Sequence, residues 1–305
     1  MDAKQLKISI IILTKNNGTT IGKVLKQIIS QQINDPYEII IVDSGSTDDT
    51  MRQISQFAVR SYTIPPDEFG HGRTRNLASE YACGDFLVYL SADAIPINEH
   101  WLRNLVSKLH IEDVGATFGR QIPYKDTPPM ERFFIQNNYP LKAKECYFLK
   151  DFHLNAFFSN VNSSIKRSLW QKIKFSEDLI ISEDYQWAKR AYDNGCKIEY
   201  IPDAAVYHSH NYSLIQVFKR YFDSGVSFSQ MGLQPDVLRD GLGYFFKEMN
   251  YIMQENWFLL PYAICYDIFK FMGFFTGSHH NFIPLFIKKH LSMHTYYWRN
   301  NYSRL

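Results

Sequence analysis

The sequence is short of cysteine. Its 305 residues hold four, Cys83, Cys146, Cys196 and Cys265, far apart and without C-x-x-C or Cys/His spacing. That excludes a zinc finger and a disulfide framework, and it fits a reducing, cytoplasmic setting. An excess of one charge is lacking too: 33 Lys and Arg stand against 31 Asp and Glu, a formal net charge of +2. With no basic recognition motif either, a nucleic-acid partner is not expected. Long apolar runs are missing. The run at 8–13 is too short for a signal peptide and reads as a strand, and the longest begins at Trp257 and is broken by Asp267, short of the ~20 residues of a membrane span. The expectation is a protein that is soluble or rests on a membrane surface. Internal repeats and low-complexity tracts are absent. Aromatics are abundant, with 23 Phe and 20 Tyr, and the length allows one or two domains with a large core.

Residues 8–120 alternate regularly. "ISIIIL" (8–13), "YEIIIVD" (37–43), "VRSYTIP" (59–65) and "DFLVYL" (85–90) read as strands. Between them lie helical patterns: Ile21, Val24, Leu25, Ile28 and Ile29; "TDDTMRQISQFA" (47–58); and "TRNLASEYACG" (74–84). A further helix carries Trp101, Leu102, Leu105, Val106 and Leu109. Strands this apolar, alternating with helices, predict a mostly parallel sheet covered on both faces. Ligands of such sheets bind beyond the carboxyl ends of the strands, which is where Asp43 and Asp93 fall. In the middle, "PYKDTPPMERFF" (123–134) reads as a loop entering a helix and "AFFSNVNSSIKRSLW" (156–170) as strand and turn. "SEDYQWAKRAYDNG" (182–195) reads as a helix capped by Ser182 and ended by Asn194-Gly195. "KIEYIPDAAVYHSH" (197–210) reads as two short strands. From 213 the pattern is helical, aromatic and, after Asp267, free of acids while keeping Lys270, Lys288, Lys289, Arg299 and Arg304. The division expected is 1–212 and 213–305.

Four stretches could carry chemistry. "VDSGSTDDT" (42–50) joins a strand end, a glycine turn and a helix start, with Ser46 and Asp49 spaced as a capping box. It is either good local structure or a nucleotide site, in which Asp43 accepts from a base imide and the turn amides face the nucleotide, with Thr14, Asn16 and Asn17 beside it. "FGHGRTRN" (69–76) sets two glycines before a helix with Arg73 and Arg75, a phosphate site or a surface turn. "SED" (182–184) places Glu183 and Asp184 at a helix start, where the dipole alone favours acids. In "VYHSH" (206–210), strand spacing would send His208 and His210 to opposite faces, so one of them at most is expected to bind a given metal.

Taken together, "TKNN", "VDSGSTDDT", "SADA", "SED" and "AVYH" stand in the order of the family 2 glycosyltransferases, and residues 8–215 resemble that family. The resemblance implies a GT-A fold that binds a nucleotide diphosphate, with a C-terminal helical extension. Its D-x-D metal motif is reduced to "SAD", with Ser91 in place of the first acid, and the acid expected after Asp43 is Ser44. The Q-x-x-R-W signature of processive synthases is absent, which implies addition of one sugar or very few. A narrower resemblance, through "FGHGRTRNLA", "LSADAIP", "HSHNYSLIQVFKRYFDSG" and "IPLFIKKHLSMHTYYW", is to bacterial rhamnosyltransferases. It implies dTDP-L-rhamnose as donor and a lipid-linked or surface-polysaccharide precursor as acceptor.

On this resemblance the chain is an inverting transferase. Asp93 and His208 hold Mg²⁺ or Mn²⁺; Asp184 is the base, with Glu183 beside it. Thr14, Asn16, Asn17, Asp43, Ser44, Arg73, Arg75, Ser91 and Ala92 bind the donor nucleotide. The aromatic C-terminal helices are expected to dock on the inner face of the cell membrane, to form a homo-oligomer contact or to close the core. The alternatives are a family 2 enzyme using another nucleotide sugar of the UDP-hexose type, a sugar nucleotidyltransferase, for which "LTKNNGTT" is a poor match, and a non-catalytic nucleotide-sugar binder.

Overall fold

A computed structural model describes residues 7–142, 158–233 and 237–300. Cys146 and Arg304 lie outside them. The chain order is β1 (Ile8–Thr14), α1 (Ile21–Ile29), β2 (Tyr37–Asp43), α2 (Thr50–Ile54), β3 (Arg60–Thr63), α3 (His71–Tyr81), β4 (Phe86–Leu90) and β5 (Ile95–Pro96). Then come α4 (Trp101–Val106), β6 (Val114–Ile122), α5 (Pro129–Asn138), β7 (Asn162–Lys166), α6 (Arg167–Lys172), α7 (Glu183–Asp193) and β8 (Lys197–Tyr207). Helices α8 (Leu214–Gln230), α9 (Val237–Asn256), α10 (Leu260–Ser278), α11 (Leu285–Leu291) and α12 (Thr295–Asn300) complete it.

The strands form one eight-stranded sheet ordered β3-β2-β1-β4-β7-β6-β8-β5. β3, β2, β1 and β4 pair in parallel, as do β6 and β8, while β7 runs antiparallel to both β4 and β6. The β-branched runs bury both faces. Ile8, Ile10 and Ile12 pack with α1 and Trp101 on one side; Ile11 packs with Tyr89 and Trp187 on the other. Gly84 lets β4 enter beside β1, because a Cβ there would lie 2.6 Å from the Ile8 carbonyl carbon. This is the mostly parallel, helix-flanked α/β sheet expected from the sequence.

Several local expectations are corrected. Helix α2 is only five residues long, and Ser46 does not cap it: its hydroxyl donates to Asp43 instead. Ser182 precedes α7 with φ 65° and makes no capping bond. Helix α3 starts earlier than expected, at His71. Residues 197–207 are one strand, bulged where the pairing with β6 jumps from Gly119↔Ile201 to Gln121↔Val206.

The C-terminal helices pack at backbone contact. A Cβ on Gly273 would lie 2.3 Å from Phe218 O, one on Gly277 2.0 Å from Phe222 O, and one on Gly225 2.2 Å from Phe274 O, so α8 and α10 meet along small residues. The stretch Gly241–Ser278 is long and apolar enough to cross a membrane by length and composition, with an 18-residue window of mean hydropathy 1.4, which the sequence pattern alone did not suggest. A 3₁₀ turn at Trp257–Leu259 divides it.

Candidate active site

Strands β1, β2 and β4 end at one edge of the sheet, and β7 begins there, with Asn162 opposite Leu90. Over this edge lies a cavity of about 330 Å³, within the usual range for small-molecule sites. Thr14, Asn17, Ser44, Arg75, Ser91, Ala92 and Asp93 line it. Asn16, Asp43, Arg73, Glu183, Asp184 and His208 stand off its lining.

The nucleotide-side loops are bound to each other. Asp43 is 1% exposed; its Oδ2 accepts from the amides of Gly45 and Ser46, and its Oδ1 from the Ser46 hydroxyl. Asn16, held at φ 54°, accepts from Thr47 N at 2.8 Å and donates its own amide to Ser46 Oγ. Asp48 accepts from Gly18 N and Thr50 N. The amides of 45–47 and 50 are therefore spent inside the protein, which corrects the expectation that the turn amides face a nucleotide. Gly45, with φ 79°, supplies the left-handed turn that this network needs.

The "SAD" segment is a tight turn. Ala94 N donates to Ser91 O at 3.0 Å, and Thr20 Oγ1 donates to Ala92 O. Ala92 and Ala94 are buried, so Asp93 between them projects half-exposed.

The two acids of "SED" have different surroundings. Glu183 is 4% exposed and forms an ion pair with Arg75 Nη1. Burial pushes its carboxyl up, and Arg75 opposes that. Asp184 is half-buried; its Oδ2 accepts from Asn160 N at 3.1 Å and its Oδ1 from Tyr185 N at 2.8 Å. Asn160 lines the cavity, so Asp184 sits one residue behind it. Arg73 reaches Glu177 at 3.7 Å, away from the cavity.

Asp93, His208 and His210 form a cluster whose potential ligand atoms all lie within 4.8 Å of one another. The expectation of opposite faces fails because β8 ends at Tyr207. Its partner β6 ends at Ile122 and is followed by Pro123, which has no amide to donate. The chain then bends, and the two rings meet edge to face at 4.6 Å. His208 Nδ1 lies 2.8 Å from Gln121 Oε1, an acceptor, so Nδ1 carries the proton and the Nε2 lone pair is free, 3.7 Å from Asp93. Burial lowers the pKa of both rings, that of His210 to about 4. Neutral imidazoles beside a carboxylate are a fitting donor set for a divalent cation. His210 and Gln121 were missed in the sequence. The H-x-H spacing was visible, but its geometry depended on where the strand stopped.

Known proteins resemble this chain in sequence and in fold. Residues 9–173 match the sequence profile described as Glycosyl transferase family 2. The O-antigen chain rhamnosyltransferase WbaN of Salmonella anatum is 34% identical over 304 residues, spanning 96% of each chain. The O-antigen chain rhamnosyltransferase RfbN of Salmonella typhimurium is 32% identical over 308 residues, spanning 97% of each. Among solved structures, a mannosyltransferase of Pyrobaculum calidifontis in complex with GDP-Man and Mn²⁺ aligns at TM-score 0.61 and 18% identity, covering 92% of this chain and 88% of that one. The latter likeness speaks to the fold.

Proposed function

The chain belongs to glycosyltransferase family 2, and from that premise we propose that it transfers a single L-rhamnose from dTDP-L-rhamnose to a hydroxyl of an O-antigen or other lipid-linked surface-polysaccharide precursor. The end-to-end likeness to two O-antigen chain rhamnosyltransferases supports the sugar and the acceptor class. The observation that carries the chemistry is the half-exposed Asp184 beside a cavity bordered by Asp93, with the buried Glu183 already engaged by Arg75.

In this reading the acceptor hydroxyl attacks the anomeric carbon from the side opposite the diphosphate. The new carbon–oxygen bond forms as the bond to the diphosphate breaks, the configuration inverts, and the hydroxyl proton passes to Asp184. Arg75 contributes positive charge to the pocket. Asp93, His208 and His210 would hold a divalent cation, whose chemistry is to neutralise charge on the departing diphosphate. Two imidazoles in the set favour Mn²⁺ over the harder, oxygen-seeking Mg²⁺. The base lies toward Thr14, Asn16, Asn17 and Ser44, with the unused lone pair of Asp43 Oδ1 as acceptor for its imide N–H. Ser91 and Ala92 flank the diphosphate, and Arg73, engaged by Glu177, takes no part.

Residues 1–212 act as the transferase unit, and 213–305 hold it at the inner face of the cell membrane. Support for the second part is apolar rather than electrostatic. Lys270 is paired with Asp267 and Glu248, and Lys288 is buried over Trp298. By contrast Ile264, Ile268, Phe271 and Phe275 form an exposed stripe on α10, and Trp257 and Phe258 stack together in the open.

Calorimetry and donor hydrolysis with dTDP-L-rhamnose, UDP-glucose and GDP-mannose, with and without Mn²⁺, test the reading. Preference for dTDP-L-rhamnose in the presence of metal is expected. Preference for another sugar replaces the donor, and no metal-dependent binding of any of them overturns the proposal.

A further inference from the structure

The cavity is not closed by the α/β sheet alone. His294 and Tyr296 line it from the far end of the chain, facing His71 and Arg75. The segment that carries them is firmly built. Asp223, with its side chain fully buried on α8, accepts from Met293 N at 2.9 Å and from His294 Nδ1 at 2.8 Å. Ser292 Oγ accepts from His294 N. Just beyond, the Tyr297 hydroxyl donates to Asp178 O at 2.9 Å, and Trp298 is buried with Ile180, Phe222 and Val226. With Nδ1–H given to Asp223, the other nitrogen of His294 stands 3.4 Å from His71 Nε2, and the rings meet edge to face. Both nitrogens of His294 are thus committed to fixing the wall.

Tyr296 is different. Its ring sets edge-on against Phe69 at 5.3 Å, and its hydroxyl is buried without a hydrogen-bonding partner among the described residues. Asn160, a residue 1% exposed on the same cavity, turns its side-chain amide to Glu183, whose carboxyl that contact helps to hold down. A buried donor is costly to leave unpaired, so the Tyr296 hydroxyl marks where a ligand's oxygen belongs. Position decides which part of the ligand. Thr14, Asn17 and Ser44 form the end nearest the nucleotide loops. Tyr296 is within the electrostatic reach of Glu183, Arg75 and Asp223, and Asn160 bonds Asp184. That is where the transferred sugar meets the base.

We propose that the Ser292–Tyr296 segment is the sugar wall of the donor site, with the Tyr296 hydroxyl donating a hydrogen bond to a hydroxyl of the transferred sugar and His294, pinned by Asp223, positioning it. This rests on the transferase reading above. The chemistry recognised is a polyhydroxylated pyranose attached to a nucleoside diphosphate, and the segment sets which sugar fits.

The test compares the full-length protein with Tyr296→Phe, which keeps the ring and its contact with Phe69. Calorimetry in Mn²⁺ uses the pairs dTDP and dTDP-L-rhamnose, UDP and UDP-glucose, and GDP and GDP-mannose, and follows whichever pair the wild type binds. The nucleotide sugar should bind about 3–10-fold more weakly to the variant, the loss of one neutral hydrogen bond, while the nucleoside diphosphate binds as before. His294→Gln should show the same split with Tyr296 intact. Equal weakening of both ligands, or of neither, overturns the sugar-wall assignment alone. A wild type that binds no pair overturns the transferase reading and this one with it. A thermal melt of each variant within a few degrees of wild type keeps the comparison valid; if Tyr296→Phe melts early, Tyr296→Trp, which also lacks the hydroxyl, takes its place under the same criteria.

Discussion

Replacing Asp184 by Asn and Glu183 by Gln should produce opposite signatures. A positioned general base contributes roughly 10²–10⁴-fold, or about 2.7–5.5 kcal/mol at 1.36 kcal/mol per tenfold. Asp184→Asn removes the proton acceptor, so turnover should fall by about two orders of magnitude or more. Its structural cost is smaller. Asp184 accepts from both Asn160 N and Tyr185 N, and an amide has one oxygen, so one backbone donor loses its partner, at about 0.5–1.5 kcal/mol. Glu183→Gln leaves the Arg75 guanidinium, 13% exposed, without its counter-charge. Breaking such a buried pair costs about 3–5 kcal/mol, so this variant should melt well below wild type while the fraction that stays folded still turns over. Steady-state transfer, donor affinity and thermal melts measured on both variants decide the matter. If Glu183→Gln is inactive at unchanged melting temperature while Asp184→Asn turns over normally, the base is Glu183. If neither loses activity, the motif is not catalytic.

Asp93→Asn should abolish most of the metal-stimulated binding of a nucleoside diphosphate, read by calorimetry with and without Mn²⁺, because it removes the one carboxylate of the cluster. His208→Ala and His210→Ala should weaken that metal effect alike, since both rings reach the same point; a silent His210→Ala would restrict the site to two ligands. Gln121→Leu should cost about 10–100-fold in Mn²⁺ affinity by freeing the His208 tautomer, and unchanged affinity would show that the 2.8 Å contact does not orient the ring. Trp257→Ser with Phe258→Ser should reduce partitioning onto anionic vesicles, and the loss should persist in high salt, as apolar insertion requires. Equal partitioning of variant and wild type would remove the Trp257–Phe258 pair from membrane contact, and a change in oligomer size instead would assign that pair to a second copy.

The frame of the site was legible because it follows from local rules. Continuous β-branched runs such as Ile8–Leu13 can be buried on both faces only in a covered sheet, and the residues after such strands must appear at one edge. That put Asp43 and Asp93 at one edge of the sheet, with Thr14, Asn16 and Asn17 beside Asp43, from the sequence alone. The details that failed depend on how groups share hydrogen bonds. Ser46 had the spacing to cap α2 but is taken by Asp43, one turn earlier. His210 had the spacing to face away from His208, and Pro123, just past the end of the neighbouring strand, ended the pairing that would have kept it there. Neither competition is visible within a short window of sequence.

The far end of the chain shows the same limit at longer range. Read alone, residues 213–305 are amphipathic helices with aromatics, a description that suits a membrane contact, an oligomer contact or a core. The glycines at 225, 273 and 277 bring α8 and α10 to backbone contact, and that close approach leaves room on α8 for Asp223 to be buried beneath the His294 segment. Two donors, Met293 N and His294 Nδ1, meet its Oδ2. Its cost is thus tied to the position of a segment about 70 residues later, which in turn places Tyr296 across the cavity from Arg75. Truncating the chain after residue 268 would therefore strip Gly273 and Gly277 from the α8 seam, Trp298 from the core and Tyr296 from the pocket at once. Any loss of membrane binding in such a truncation would be inseparable from loss of the pocket wall, which is why point substitutions on the exposed stripe are the sharper instrument.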